Sequence, residues 1–229
     1  MSRRAQVLAE MGISPIWKLK SQAQTAEVVP VPQTSPKEWI PLKAEVSGCT
    51  KCGLHKSRTQ TVFGVGDENA DWMLIGEAPG AEEDRLGDPF VGQAGKLLDN
   101  MLAAIGLSRR QNVYIANVLK CRPPGNRNPA PEEVEQCTPY LLRQIELIQP
   151  KLIVAMGRFA AQTLLDTDAS ISSLRGRVHR YAGVPLIVTY HPAYLLRTLE
   201  DKAKAWEDLV FARKTMSGTS TLPLSPSSP

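Results

Sequence analysis

The sequence lacks long hydrophobic runs. Its uninterrupted apolar stretches are as short as Leu152–Met156, so no segment reads as a bilayer-spanning helix. No apolar stretch follows Arg3 and Arg4, because Glu10 interrupts it. A secretory signal is therefore not expected, no membrane association is expected, and the cytoplasm is the expected compartment. No internal repeat is visible. A strong charge of either sign is also lacking: 27 Lys and Arg oppose 23 Asp and Glu across 229 residues, a net +4, too mild to mark a nucleic-acid binder by itself. What is uneven is the distribution. Residues 171–197 carry four arginines (Arg175, Arg177, Arg180, Arg197) and no carboxylate, and residues 120–128 carry Lys120, Arg122 and Arg127 and no acid. Residues 77–88 carry five acids and only Arg85. Each block reads as a solvated face or as part of a polyanion-facing surface around an acidic site.

With 42% apolar and 22% charged residues, the composition is that of a globular domain with a full core. Residues 21–36 hold three prolines and little apolar periodicity, so residues 1–40 are expected to be an extension and flexible linker, with a short helix ahead of Pro15. Residues 217–229, with five serines and three prolines, are expected to be a disordered tail. The domain is then 41–216.

Within it, strand and helix signals alternate. Residues 72–75 form an apolar run ending at Gly76. Ala94, Leu97, Leu98, Met101, Leu102 and Ile105 have helical spacing, closed by Gly106. Residues 113–119 predict a second strand. Pro131 and two glutamates open a helix with Val134, Cys137, Leu141, Ile145 and Ile148 on one face. Leu152–Met156 predicts a third strand, and residues 177–181 and 185–190 a hairpin around Ala182-Gly183 leading into a last core strand. A closing helix spans residues 202–214. Such alternation predicts an α/β fold of three layers, α/β/α, around a central, mostly parallel four-stranded sheet. Ligands bind beyond the carboxyl ends of such strands. That rule selects residues 76–80, 117–120, 157–158 and 191–192.

The four cysteines fall as Cys49-x2-Cys52 and, far downstream, Cys121-x15-Cys137. Disulfides are not expected in a cytosolic chain, and the thioredoxin-like context of a redox pair is missing. One close pair and two distant thiols suit zinc less well than an iron–sulfur cluster, which accepts ligands from separate segments. The alternative is that they are small buried hydrophobes, which Cys137 on its apolar face would satisfy.

Residues 76–99, GEAPGAEEDRLGDPFVGQAGKLLD, closely resemble the first motif of the family 4 uracil-DNA glycosylases, the iron–sulfur branch of that superfamily. Residues 117–124, NVLKCRPP, resemble its second segment, and residues 191–197, HPAYLLR, its closing loop. The resemblance covers about residues 46–214. It implies a [4Fe–4S] cluster on Cys49, Cys52, Cys121 and Cys137, and a monomeric enzyme that flips uracil out of single- or double-stranded DNA and hydrolyses its N-glycosidic bond.

That chemistry breaks the bond from uracil N1 to the deoxyribose C1′, so the site must read the base, stabilise it as an anion and hold a water. The resemblance implies that His191 bonds uracil O2 and stabilises the leaving anion. It implies that Phe90, in the turn-rich D-P-F-V-G, is the stacking platform. The resemblance implies that Glu77 lies at the pocket as a candidate for positioning the water; Ala78 stands where relatives of other families carry an aspartate, so a strong aspartate base is absent and the mechanism leans more on stabilising the leaving group. The Ala78 N–H is placed to hold a uracil oxygen. Glu83 is the rival acid, or fills the space beside uracil C5, because Gly80 stands where other families have a blocking tyrosine. Asn117, at a strand end, can accept from N3–H and donate to O4, a pair of bonds cytosine cannot make. Glu82 and Asp84 are expected to be solvated, and His55 and His179 to be structural. Leu195 is the expected wedge into the gap left by the flipped nucleotide, and Arg197 and Lys120 the expected phosphate contacts.

Three other classes compete. A non-catalytic iron–sulfur DNA-binding module leaves the polar residues at three strand ends unexplained. A metal phosphodiesterase on Glu82, Glu83 and Asp84 lacks a second acid pair at a strand end. A phosphate-binding NTPase lacks the Lys-Ser/Thr that must follow the glycines.

Overall fold

The computed structural model describes residues 38–218. Residues 1–37 of the expected extension and linker, including the helix ahead of Pro15, and all but the first two residues of the Ser/Pro tail lie outside the described residues; the last two residues of the expected linker, Trp39 and Ile40, instead open α1, with Trp39 buried in the core. The chain runs α1 (Trp39–Ser47), β1 (Val65–Gly66), β2 (Trp72–Gly76), α2 (Ala81–Leu86), α3 (Gln93–Ala104), β3 (Val113–Asn117), α4 (Pro131–Ile148), β4 (Leu152–Met156), α5 (Arg158–Leu165), α6 (Ile171–Leu174), β5 (His179–Tyr181), β6 (Val184–Thr189), α7 (Pro192–Leu195) and α8 (Lys202–Met216).

Every residue of β2, β3 and β4 is buried. Strands buried on both faces need helices on both faces, and alternation of side chains sorts them. Met73, Ile75, Tyr114, Ala116, Ile153, Ala155, Leu186 and Val188 point into one apolar cluster with α1, α4 and α5. Trp72, Leu74, Val113, Ile115, Leu152, Val154 and Ile187 point into another with α3 and α8. The three-layer arrangement follows from that sorting.

The sheet order is β1-β3-β2-β4-β6-β5. The inner four strands are parallel, as expected. The sheet itself has six strands, because β1 and β5 add antiparallel edges. β5 is the outer arm of the expected hairpin. β1 is two residues long and has no periodicity for a sequence pattern to reveal. Among the described residues no helix is long and apolar enough to cross a membrane.

The order places the site. β2 is first in the parallel set, β3 lies on one side of it and β4 on the other. The connections therefore diverge beyond the carboxyl end of β2, and a crevice opens there.

Candidate active site

A cavity of about 460 Å³ occupies that crevice. Glu77, Ala78, Gly80, Glu83, Phe90, Asn117, His191 and Arg197 all line it. A neighbouring cavity of about 430 Å³ lies beyond β4 and β6, is lined by Gly157, Arg158 and Tyr190, and shares Glu77, Asn128, His191 and Tyr194 with the first.

Asn117 is the last residue of β3, in register with Gly76. It is 2% exposed, and its Oδ1 is a buried oxygen with no hydrogen-bond partner. Such an atom forgoes about 1–3 kcal/mol of solvation, a cost that a ligand donor entering the pocket would recover. Gly76 makes room for it: a Cβ there would overlap Asn117 Oδ1 and come within 2.7 Å of Phe90 Cζ. The amide and the aromatic ring thus pack over a bare backbone.

Phe90 adopts φ 56°, a left-handed conformation that is strained for a bulky side chain. Arg109 and the close approach of α3 hold it. Arg109 donates through Nη1 to Pro89 O (3.1 Å) and through Nη2 to Phe90 O (2.9 Å). Asp99 in turn accepts from Arg109 Nε at 2.8 Å. Gly95 lets α3 approach, since a Cβ there would overlap the Phe90 carbonyl oxygen. The ring is 5% exposed and lies 5.4 Å from the His191 ring, tilted by 31°.

His191 caps α7, its Nδ1 accepting from Ala193 N at 3.1 Å. That bond requires a bare Nδ1, so the ring's proton sits on Nε2. Burial, helped by Arg197 and opposed by Glu83, lowers the pKa to about 4, and the imidazole is neutral at pH 7. Gly157 gives it space, since a Cβ there would stand 2.9 Å from His191 Cβ.

Glu77 follows β2. Burial raises its pKa, and the positive charge of Arg158 opposes the rise. Glu83 has a structural occupation: Oε1 accepts from Val91 N at 3.1 Å. Its Oε2 lies 2.7 Å from where a Cβ on Gly80 would stand. Glu83 therefore braces the Phe90 loop from beneath the pocket wall.

On the far side of the 117–121 turn, Cys49, Cys52, Cys121 and Cys137 line one pocket with Arg58, Lys120 and Tyr140. All four are free thiols. Arg58 Nη1 donates to Cys121 Sγ (3.1 Å) and Lys120 N to Cys137 Sγ (3.2 Å). Burial pushes Cys137 up to about 11 and raises Cys121. Soft sulfur donors from three segments, with N–H groups aimed at two of them, are a donor set that fits an iron–sulfur cluster.

Several expected roles are corrected. Lys120 is 1% exposed and cannot meet a phosphate; the turn after β3 folds it inward. Leu195 is 1% exposed, because the single turn of α7 packs it with Tyr190 and Ala205. Its neighbour Leu196 is the exposed one, at 42%. Asp84 is buried and accepts from Thr59 N at 2.9 and 3.1 Å, tying the 57–61 loop to α2. Glu82 is exposed and paired with Arg85. Arg175 is paired with Asp208 and stacked on Tyr190, so the basic run contributes fewer free cations than its count implies. His55 and His179 are structural, bonded to the carbonyls of Cys52 and Leu174. Arg197 is exposed at the rim. Sequence reasoning missed Arg109, which lies 19 residues from the carbonyl it holds, and Tyr194, which lines both cavities. No local signal marks Arg109, whereas Tyr194 lies within the HPAYLLR segment, which was read for its neighbours alone.

The crevice beyond β2, with an asparagine and a capped histidine at its strand ends, sits where α/β sheets bind ligands. A model of the Uracil DNA glycosylase superfamily matches residues 63–210, and the chain belongs to that superfamily. Within it, the chain is 54% identical over 160 residues to the type-4 uracil-DNA glycosylase of Archaeoglobus fulgidus, covering 66% of this chain and 80% of that one. It is 46% identical over 161 residues to the type-4 enzyme of Thermotoga maritima, covering 69% and 83%. A type-5 uracil-DNA glycosylase of Pyrobaculum aerophilum is more distant, at 34% over 146 residues, covering 57% and 64%.

Proposed function

We infer that the protein excises uracil from DNA by hydrolysing the N-glycosidic bond, leaving an abasic site, and that it does so as a monomer carrying a [4Fe–4S] cluster. The single observation that carries the reading is the unpartnered Asn117 oxygen, buried in the same cavity as a neutral histidine and an aromatic ring. Uracil supplies what that oxygen lacks, a ring N3–H. The Asn117 amide nitrogen donates to O4. Cytosine, with a bare N3 and an amino group, fails at both.

In the reaction the bond from N1 to C1′ breaks and its electron pair leaves with the base. The sugar gains oxocarbenium character. His191 donates from Nε2 to O2, where negative charge develops; a neutral donor keeps the base an anion rather than protonating it. Phe90 stacks on the base, a contact worth roughly 1–3 kcal/mol. The Ala78 N–H holds a second oxygen. Glu77 orients the water that adds to C1′ and accepts its proton, and its charge favours the cationic sugar. Glu83 stands beside Gly80 where a thymine methyl would point. Leu196, rather than Leu195, is the wedge, and Arg197 contacts a phosphate. A non-catalytic DNA-binding module would have no use for a desolvated amide and an aromatic residue held in a left-handed backbone conformation. Incubation with uracil-containing and thymine-containing oligonucleotides, without added metal, tests the reading: abasic sites form only in the first. Intact uracil strands after long incubation would refute it.

Arg158 tunes Glu77. Replacing Arg158 with Gln removes a positive charge that favours the carboxylate, so the Glu77 pKa rises further. Activity needs the carboxylate, and the acid limb of the kcat/KM profile is expected to move to higher pH. A limb that stays in place would remove Glu77 from the water-positioning role.

The cluster ties the 49–52 segment to the 121–137 segment, and its bound form requires deprotonated thiols. Cys121→Ala is expected to lose the visible iron–sulfur absorbance and to melt at lower temperature. A variant with unchanged colour and melting would show that Cys121 is no ligand.

A further inference from the structure

Lys120 is buried in the interior, where an ammonium is costly unless paired. Its Nζ donates to two neutral acceptors: Asn117 O at 2.8 Å and Gln144 Oε1 at 2.6 Å. Gln144 is fully buried too. Its amide nitrogen donates to Phe63 O (2.9 Å) and Tyr114 Oη (3.3 Å), which fixes its oxygen towards the lysine. Among the described residues no carboxylate bonds Lys120. The thiol pocket lies on its other side. Its backbone N–H donates to Cys137 Sγ at 3.2 Å, the next residue is Cys121, and Lys120 itself lines the thiol pocket.

The carbonyl it grips needs a partner. Beyond Gly76, the bonds from β3 to β2 continue through Val118 N to Gly76 O and Leu119 N to Glu77 O. The Asn117 carbonyl is turned to the opposite side and is met by Lys120. One five-residue turn thus presents the Asn117 amide to the uracil cavity, and Lys120 N and Cys121 Sγ to the thiol pocket.

We propose that Lys120 is a positioning residue of the uracil pocket: its Nζ, held by Gln144, clamps the carbonyl at the end of β3 so that the Asn117 amide is held in place. This rests on the uracil-excision and cluster readings above. One residue thereby joins the thiol pocket to the base-reading residue.

The test uses Lys120→Met, which keeps length without a donor, and Lys120→Gln, which keeps a donor without charge. Free-uracil affinity, affinity for abasic-site DNA, single-turnover rate, visible absorbance and melting temperature are measured for each. Lys120→Met is expected to keep its colour and its hold on abasic DNA, but to bind free uracil and to turn over roughly 10-fold less well, a misplacement effect, with KM for DNA unchanged. Lys120→Gln should fall between it and the wild type. Three results overturn the proposal: wild-type uracil affinity in Lys120→Met; weakened DNA binding with uracil binding intact, which would make the lysine a phosphate contact; and failure of both variants to accumulate as folded, coloured protein, which would make it a fold element. Wild-type protein that releases no uracil, by contrast, defeats the excision reading itself.

Discussion

Asn117→Ala is expected to lower kcat/KM for uracil release by roughly 10³-fold while leaving the melting temperature unchanged or raising it. The activity loss follows from the reading bonds: a site built on such polar contacts discriminates by factors of about 10⁴–10⁵, and alanine removes both bonds. The stability gain follows from the free protein, where Asn117 Oδ1 is buried and unpartnered. Deleting an unsatisfied buried acceptor removes a cost of about 1–3 kcal/mol. A structural asparagine behaves oppositely, since its loss lowers stability along with activity. Single-turnover kinetics and thermal melts on the same preparation separate the two. A variant that melts well below the wild type would place Asn117 among the fold residues and leave the pocket without its reader.

His191→Ala is expected to cost roughly 10²–10³ in the chemical step, the usual loss when one donor to a developing oxyanion is removed. The pH behaviour identifies which protonation state works. With its pKa held near 4 by burial, His191 is neutral from about pH 5 upward, and the wild-type rate profile should show no inflection near the ordinary imidazole value of about 6.5. Stability carries the complementary sign. Between pH 6.5 and about 4 the unfolded chain takes up a proton at this position that the folded chain excludes, so folding stability falls as pH falls through that window. His191→Ala should flatten that slope. A wild-type rate that halves near pH 6.5 through this residue would mean that the imidazole is not held neutral by the pocket.

Much of the fold was legible because its core strands are short runs buried on both faces. Residues 72–75, Leu152–Met156 and the strand ending at Asn117 carry that pattern, and the helix after Pro131 has the acid-rich start that Glu133 completes by accepting from Ala130 N at 2.9 Å. The edge strand Val65–Gly66 was not legible, because two residues cannot show a period. In the site, Glu77, Asn117 and His191 were legible as polar residues at strand ends, where α/β sheets bind ligands. Leu195 and Lys120 were misassigned for a common reason. Both sit in short connections, and a one-turn helix or a five-residue turn has no periodicity from which to tell an inward side chain from an outward one. Arg109 was invisible because the carbonyls it holds are remote in sequence.

By itself the sequence determined the layered architecture, the strand ends that carry chemistry and the superfamily, since buried runs, capping residues and motif spacing are local properties. Only the tertiary structure decided which of Leu195 and Leu196 faces solvent, which imidazole nitrogen carries the proton, and that Lys120 turns inward between Asn117 and the thiols. These are questions of direction and solvent access. They are settled when helices and turns from distant parts of the chain close over one another and exclude water.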